Sequence, residues 1–194
     1  MKLLHLDSSA LGAYSVSREL SAALVEAWKN KHPGATIAYR DLAANPLPHW
    51  APVADASDPV AVLNEEVMSE FLDADVVVVG APMYNFGISS QLKAWFDRII
   101  VAGRTFRYTE AGPQGLAAGK KVIIVSSRGG VYSAGSPYAP ADFQETYLRQ
   151  AFGFIGVTDI EFVRAEGIAL GPEQKAHALA AAHAEIKTNE RIAA

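Results

Sequence analysis

Val76-Val77-Val78-Val79 runs directly into Gly80-Ala81-Pro82-Met83-Tyr84-Asn85-Phe86. An unbroken β-branched run reads as a strand covered on both faces, which is the habit of a parallel sheet. In open parallel sheets, ligands bind just beyond the carboxyl ends of the strands. At that position this chain places two aromatics and an amide rather than charged loop residues. Such a turn suits a flat heteroaromatic ring with hydrogen-bonding edges.

Outward from this strand, the hydrophobic period alternates between strand and helix. Leu3-Leu4-His5-Leu6 reads as a short strand. Val16, Leu20, Ala23, Leu24, Ala27 and Trp28 then fall on one helical face, which ends before Pro33-Gly34. Thr36 to Tyr39 reads as a second strand, Val60 to Leu72 as a helix and Asp75 to Val79 as the third strand. Leu92, Trp95, Phe96, Ile99 and Ile100 follow strict helical spacing. Lys121 to Ser126 and Thr158 to Val163 give two more strands, with a helix over Ala141 to Phe154 between them. An alanine-rich helix from Glu173 to the end is expected to fray at its tip.

Five strands alternating with helices imply an α/β fold with a doubly wound parallel sheet. Two segments break the alternation. Asn45 to Asp58 is rich in proline, and Gly103 to Gly119 contains Thr105-Phe106-Arg107-Tyr108-Thr109, which suggests a short hairpin. No repeat or linker is evident, so the 194 residues read as a single domain.

Composition narrows the function. Half the residues are apolar, a fifth are charged and the net charge is -4, with no basic stripe to suit nucleic acid. The absence of cysteine excludes disulfides, thiol chemistry and thiolate-bound metals. Met1 to Leu6 is too short for a signal peptide, and no apolar run is long enough to cross a membrane. A soluble cytoplasmic protein is the expectation. His177 and His183 lie six residues apart, not on one helical face, so no metal site is expected.

The first strand ends in Asp7-Ser8-Ser9, and the next helix is expected to begin near Tyr14-Ser15-Val16-Ser17. A helix N-terminus offers unpaired N–H groups and the positive end of its dipole. With the hydroxyls of Ser9, Ser15 and Ser17, it can hold a phosphate without a cationic side chain. The plainer alternative is that Ser15 is only an N-cap. No G-x-x-x-x-G-K-[ST] and no G-x-G-x-x-G follows the first strand. After the fourth strand, Ser127-Arg128-Gly129-Gly130 offers close backbone approach, although ordinary turn chemistry also produces paired glycines. In a 2-1-3-4-5 strand order, the loops after the first, third and fourth strands meet at one switch point. A phosphate cradle, an aromatic–amide turn and a glycine loop around one ligand make a flavin the first candidate.

These segments resemble the flavodoxin-like FMN-dependent NADH-azoreductase and quinone reductase family. The likeness rests on Ser8-Ser9, Tyr14 to Arg18, Ala81 to Phe86 and Ser127 to Gly130. Phe106 to Glu110, Gly112-Pro113, Gly153 to Gly156 and Ala165 to Gly167 extend it as far as Pro172. Pro48 to Glu65 is the weakest stretch and looks shorter than in some members.

The resemblance implies that Ser9, Ser15, Val16 and Ser17 hold the FMN phosphate. It implies that Met83, Tyr84, Asn85 and Phe86 flank the isoalloxazine, and that Ser127, Arg128, Gly129 and Gly130 face its pyrimidine edge. It also implies a homodimer with sites at the subunit interface and NADH or NADPH as reductant. Tyr108 and Phe154 are candidates for an apolar wall over the flavin, or simply for packing. The helix with Trp95 and Phe96 is a candidate interface element, or core. The implied reaction is two-electron, ping-pong reduction of quinones, with cleavage of azo bonds to amines. A flavodoxin-type one-electron carrier is the rival reading, and a flavin-free scaffold a more distant one. Arg18, Arg104 and Arg128 are the arginines available to meet the extra phosphate of NADPH.

Overall fold

The computed structural model describes residues 1–189. Seven strands and five α-helices follow in chain order. They are β1 (Lys2–Asp7), α1 (Val16–Lys31), β2 (Thr36–Asp41), α2 (Pro59–Asp73), β3 (Val76–Pro82), α3 (Ser90–Ile99), β4 (Phe106–Thr109), β5 (Gly112–Gly115), β6 (Lys121–Ser127), α4 (Phe143–Phe154), β7 (Asp159–Ala165) and α5 (Pro172–Thr188). The main sheet is parallel with order β2-β1-β3-β6-β7. Counting only its own strands, this is the expected 2-1-3-4-5. The expected fraying at the chain's end falls on 190–194, outside the described residues.

The valine run is continuous because both faces of β3 are covered. Leu4, Leu6, Val77, Val79, Val122 and Ile124 pack on one side with residues of α2, α3 and α4. Leu3, Val76, Val78, Ile123 and Val125 pack on the other with α1 and α5. Each fully buried aliphatic side chain of this kind contributes about 1.5–3 kcal/mol. Trp95 and Phe96 are both fully buried, so they belong to the core and not to an exposed interface.

Local chemistry sets the helix starts. Ser15, Asp58, Ser89 and Asp142 accept from a first-turn N–H of α1, α2, α3 and α4, and Pro59 adds its fixed φ at the start of α2.

The end of β3 differs from expectation. β3 continues through Ala81 and Pro82, so the turn begins only at Met83. Proline is tolerated there because it closes the strand, and Met83 N donates to Ser127 O at 2.8 Å to finish the ladder. The first excursion contains no regular element between β2 and α2. The second holds the expected hairpin, β4 antiparallel to β5. That hairpin lies so close to the end of α4 that a Cβ on Gly115 would sit 2.2 Å from Gly156 N.

Candidate active site

The site is assembled at the carboxyl ends of β1, β3 and β6. Ser8 ties the first of these ends to the second: its Oγ donates to Gly80 O at 2.8 Å and its N–H to the same oxygen at 3.2 Å. Ser9 Oγ then lies 3.2 Å from the Tyr84 hydroxyl, which accepts the Ala10 N–H at 3.1 Å. One short 3-10 turn, Gly12–Tyr14, carries the chain to Ser15. Ser15 Oγ accepts the Arg18 N–H at 3.2 Å and lies 3.2 Å from Ser17 Oγ. Ser15 is therefore an N-cap and a lining residue together. The N–H groups of Val16 and Ser17 have no acceptor among the described residues, as first-turn donors do not within a helix.

Behind this cradle lies a polar network. Arg18 donates to both carboxylate oxygens of Asp41, at 2.6 and 3.0 Å, and its Nη1 donates to Tyr39 Oη at 2.8 Å. Tyr39 Oη and Ser21 Oγ donate to the buried Asp7 at 3.1 and 2.8 Å. The Arg18 hydrogen bond holds the Asp41 carboxyl below the usual carboxylate range. Burial first, then Asp7, pushes the Tyr39 phenol up to about 12. Gly80 belongs to the same arrangement, because a Cβ there would lie 2.4 Å from Asp7 Oδ1.

The turn after β3 is closed by reciprocal backbone bonds between Tyr84 and Gly87, each 3.0 Å. Its central residues, Asn85 and Phe86, have φ of 48° and 71°. Left-handed backbone at both central positions is what a tight hairpin turn demands. Asn fits it well, whereas Phe stores about 1–3 kcal/mol of strain. The strained position leaves the Phe86 ring half exposed and edge-on to Tyr132, centroids 6.3 Å apart.

The glycine loop after β6 is sewn to the loop after β7. Arg128 N donates to Ala165 O at 2.9 Å, Gly167 N to Gly130 O at 2.8 Å, and Ala169 N to Gly129 O at 3.1 Å. The N–H groups of Gly129 and Gly130 have no acceptor among the described residues. Arg128 itself turns inward and is fully buried. Its guanidinium meets Asp142 at 2.9 Å and Glu166 at 3.1 Å, and also pairs with Glu145. Burial pushes the Glu145 carboxyl up, but the hydrogen bond from Arg164 and the charge of Arg128 outweigh it, leaving Glu145 below its ordinary value.

These loops enclose a hollow of about 180 Å³ lined by Ser9, Ser15, Val16, Met83, Tyr84, Ser127 and Gly129. Seven of the twelve candidate cofactor residues are thus brought to one cavity. Ser17 lies beneath the cradle, fully buried. Asn85, Phe86 and Gly130 belong to the loops that frame the cavity without lining it, and the Arg128 side chain points away from it. Tyr108, three-quarters exposed, and the half-buried Phe154 flank Phe106, with centroids 5.4 and 4.6 Å from it. Neither lines the hollow.

Tyr14 and Pro82, read above only as parts of the motifs, also line the hollow, and three further lining residues escape a reading of the sequence: Leu11, Ile168 and Lys175. Ile168 and Lys175 come from the loop after β7 and from α5, where no motif marks them. A larger hollow of about 390 Å³, between Trp50–Val53, α2 and α3, contains none of the motif residues.

The residues fit FMN. Free helix N-terminal donors and serine hydroxyls suit its phosphate, a turn with Tyr84 and Phe86 suits its ring, and bare glycine N–H groups suit its polar edge.

The "Flavodoxin-like fold" family matches residues 1–189. The chain is 58% identical to FMN-dependent NADH:quinone oxidoreductase 1 of Xanthomonas axonopodis pv. citri (strain 306), covering 100% of this chain and 99% of that one. It is 53% identical to the FMN-dependent NADH:quinone oxidoreductase of Ralstonia nicotianae (strain ATCC BAA-1114 / GMI1000), covering the whole of both chains, 100% and 100%. Among solved structures, it superposes on an FMN-dependent NADH-azoreductase from Bacillus anthracis str. Ames Ancestor in complex with FMN. There the TM-score is 0.87 and the identity 26%, over 96% of this chain and 95% of that one. Sequence, sheet order and site loops agree: the chain belongs to the flavodoxin-like family of FMN-dependent NADH:quinone oxidoreductases.

Proposed function

We propose that this FMN-dependent oxidoreductase reduces quinones to hydroquinones in single two-electron steps, and cleaves aromatic azo bonds to amines in two successive turnovers. The observation that carries the reading is the meeting of three loops at one hollow, with the Val16 and Ser17 donors and the Gly129 and Gly130 donors all unspent. Bound there, FMN supplies the hydride chemistry, accepting two electrons from NADH and delivering them to the acceptor.

The protein's own contribution is position and charge. Ser9, Ser15, Val16 and Ser17 hold the phosphate at the start of α1. Met83, Tyr84, Asn85 and Phe86 flank the ring, and the strained turn keeps the Phe86 side chain available to it. The backbone from Ser127 to Gly130 addresses the pyrimidine edge, where N–H donors favour negative charge. Arg128 acts through that loop and not by contact.

NADH is the favoured reductant. Arg18 is bonded to Asp41 at 2.6 Å and Arg104 to Glu65 at 2.7 Å, while Arg128 is enclosed by carboxylates, so none is spare for a second phosphate.

A single chain encloses about 180 Å³, against roughly 300–1,000 Å³ for the usual cofactor pocket. That supports a homodimer in which Tyr108 and Phe154 of a second copy complete the wall. The whole chain, 1–194, would act as one flavin-binding domain. No described helix is long and apolar enough to cross a membrane, and a cytoplasmic setting is the natural one for NADH chemistry.

Anaerobic addition of NADH to the FMN-loaded protein tests the reading. Rapid bleaching of the flavin, reversed by a quinone, is expected, with parallel-line steady-state kinetics. A flavin that stays yellow with NADH and NADPH, or that halts at a one-electron-reduced state, would support the carrier instead.

A further inference from the structure

We propose that Lys175, in the first turn of α5, is an ionic ligand for the FMN phosphate and sets the preference of the site for FMN over unphosphorylated flavin. The proposal rests on the assignment of the hollow as the flavin site. It adds a charged contact from a helix that the cradle motif does not include.

Lys175 lines the same hollow as Ser9, Ser15 and Val16. Among the described residues lining that hollow, it is the single charged one. Among the described residues no carboxylate lies within ion-pair distance of it, although Arg18, Arg40, Arg104, Arg128 and Arg164 are all engaged. Lys175 thus has a charge to spare, and it borders a cavity with no negative lining.

Its position in α5 argues the same way. The first turn of a helix disfavours a cation, because the backbone dipole is positive there. Glu173 in the same turn answers the dipole in part, but it forms no ion pair with Lys175, and the N-cap, Gly171, provides no side-chain acceptor. An anion in the hollow would offset it, since Val16 from the first turn of α1 and Lys175 from that of α5 both line it. A phosphate dianion matches the α1 N-terminus, serine hydroxyls and one ammonium. A neutral alcohol does not need the last.

The ammonium is exposed and mobile on its stem, so its contribution is electrostatic and screened by salt. The expected size is that of a partly exposed charge-assisted contact, about three- to tenfold in affinity.

The test titrates the full-length chain with FMN and with riboflavin, following flavin fluorescence at low and high salt, for the wild type, Lys175→Gln and Lys175→Arg. The proposal expects Lys175→Gln to weaken FMN about three- to tenfold at low salt, with a smaller salt dependence, and to leave riboflavin unchanged. Lys175→Arg should restore most of the FMN affinity. Unchanged FMN affinity in Lys175→Gln overturns the proposal, and so does equal weakening of FMN and riboflavin, which would mean packing. Normal FMN binding with a raised KM for NADH also overturns it, by moving the contact to the nucleotide. A wild type that binds riboflavin as tightly as FMN would refute the phosphate cradle itself, a separate failure from that of Lys175.

Discussion

The turn after β3 and the loop after β6 face the same hollow, yet they are held in opposite ways. The first is held only by the two Tyr84–Gly87 backbone bonds, against the strain of positive φ at Asn85 and Phe86, both exposed. The second is held from below by charge, with the buried Arg128 among Asp142, Glu145 and Glu166. A strained, exposed turn can yield to a planar ligand at small cost. A loop anchored by a buried ion cluster stays fixed, whatever binds. The difference suits the proposed division of labour, in which the ring lies against an adaptable turn and its polar edge meets fixed donors.

The largest effect is expected where the fixed loop loses its anchor. Arg128→Met leaves three carboxylates facing one another in a buried site, and breaking such a cluster costs about 3–5 kcal/mol. Thermal unfolding should show a drop of roughly 6–20 °C, from about 2–4 °C per kcal/mol for a chain of this size. Arg128→Lys should rescue little, because a point charge does not reproduce the forked donors that reach several partners. A melting point unchanged in both variants would show that the cluster is not an anchor.

The same cluster makes a pH prediction. The folded Glu145 carboxyl lies below its ordinary value of 4.5. Its contribution to stability is therefore full above that value and is lost as pH falls through the lower folded value. The wild type should lose stability on acidification below about 4.5. In Arg128→Met, this part of the acid-dependent loss should shrink without vanishing, since the charge of Arg128 is gone while the hydrogen bond from Arg164 still lowers Glu145. Unfolding curves that fall in parallel with acidification would assign the acid sensitivity to other carboxylates.

How far these two regions could be read from the sequence differs as sharply. The valine run, the strand order and the three loops are legible because burial on two faces and the alternation of periods leave local signatures. Arg128 is different. The sequence places it beside Gly129 and suggests a ligand-facing role, but its partners lie 14 to 38 residues away and turn it inward. Long-range charge pairing leaves no periodic mark. Lys175 is hidden for a related reason, since a lysine on an alanine-rich helix looks like a solvated face until the sheet folds. At the other loop the residues are legible but their strain is not, because Asn-Phe does not advertise the positive φ that Asn-Gly would.

Medium-sized effects should separate backbone from side chain at Asn85. Asn85→Ala keeps the left-handed requirement and loses the residue that tolerates it, so stability should fall by about 1 kcal/mol. Flavin retention should weaken as well. Asn85→Gly satisfies the backbone and removes the amide. If Asn85→Gly retains FMN as the wild type does, the turn's shape is what matters. If it loses FMN as Asn85→Ala does, the amide itself contacts the flavin. Wild-type flavin affinity and turnover in both variants would take Asn85 out of the site.

The smallest change in stability, and the most telling for the comparison, is expected from Phe86→Gly. Glycine relieves about 1–3 kcal/mol of strain at φ 71°, while its greater freedom in the unfolded chain costs roughly 0.5–1 kcal/mol. The edge contact with Tyr132, worth about 0.5–1.5 kcal/mol, is also lost. The balance lies near zero, so the melting point of the flavin-free protein should hardly move. The FMN-loaded protein should nonetheless lose flavin faster on dilution, because the half-exposed ring that the strain presents is gone. A marked fall in the flavin-free melting point would show that Phe86 is a packing residue. The turn would then be held as firmly as the loop across from it, and the contrast between a yielding side and a fixed side of the site would fail.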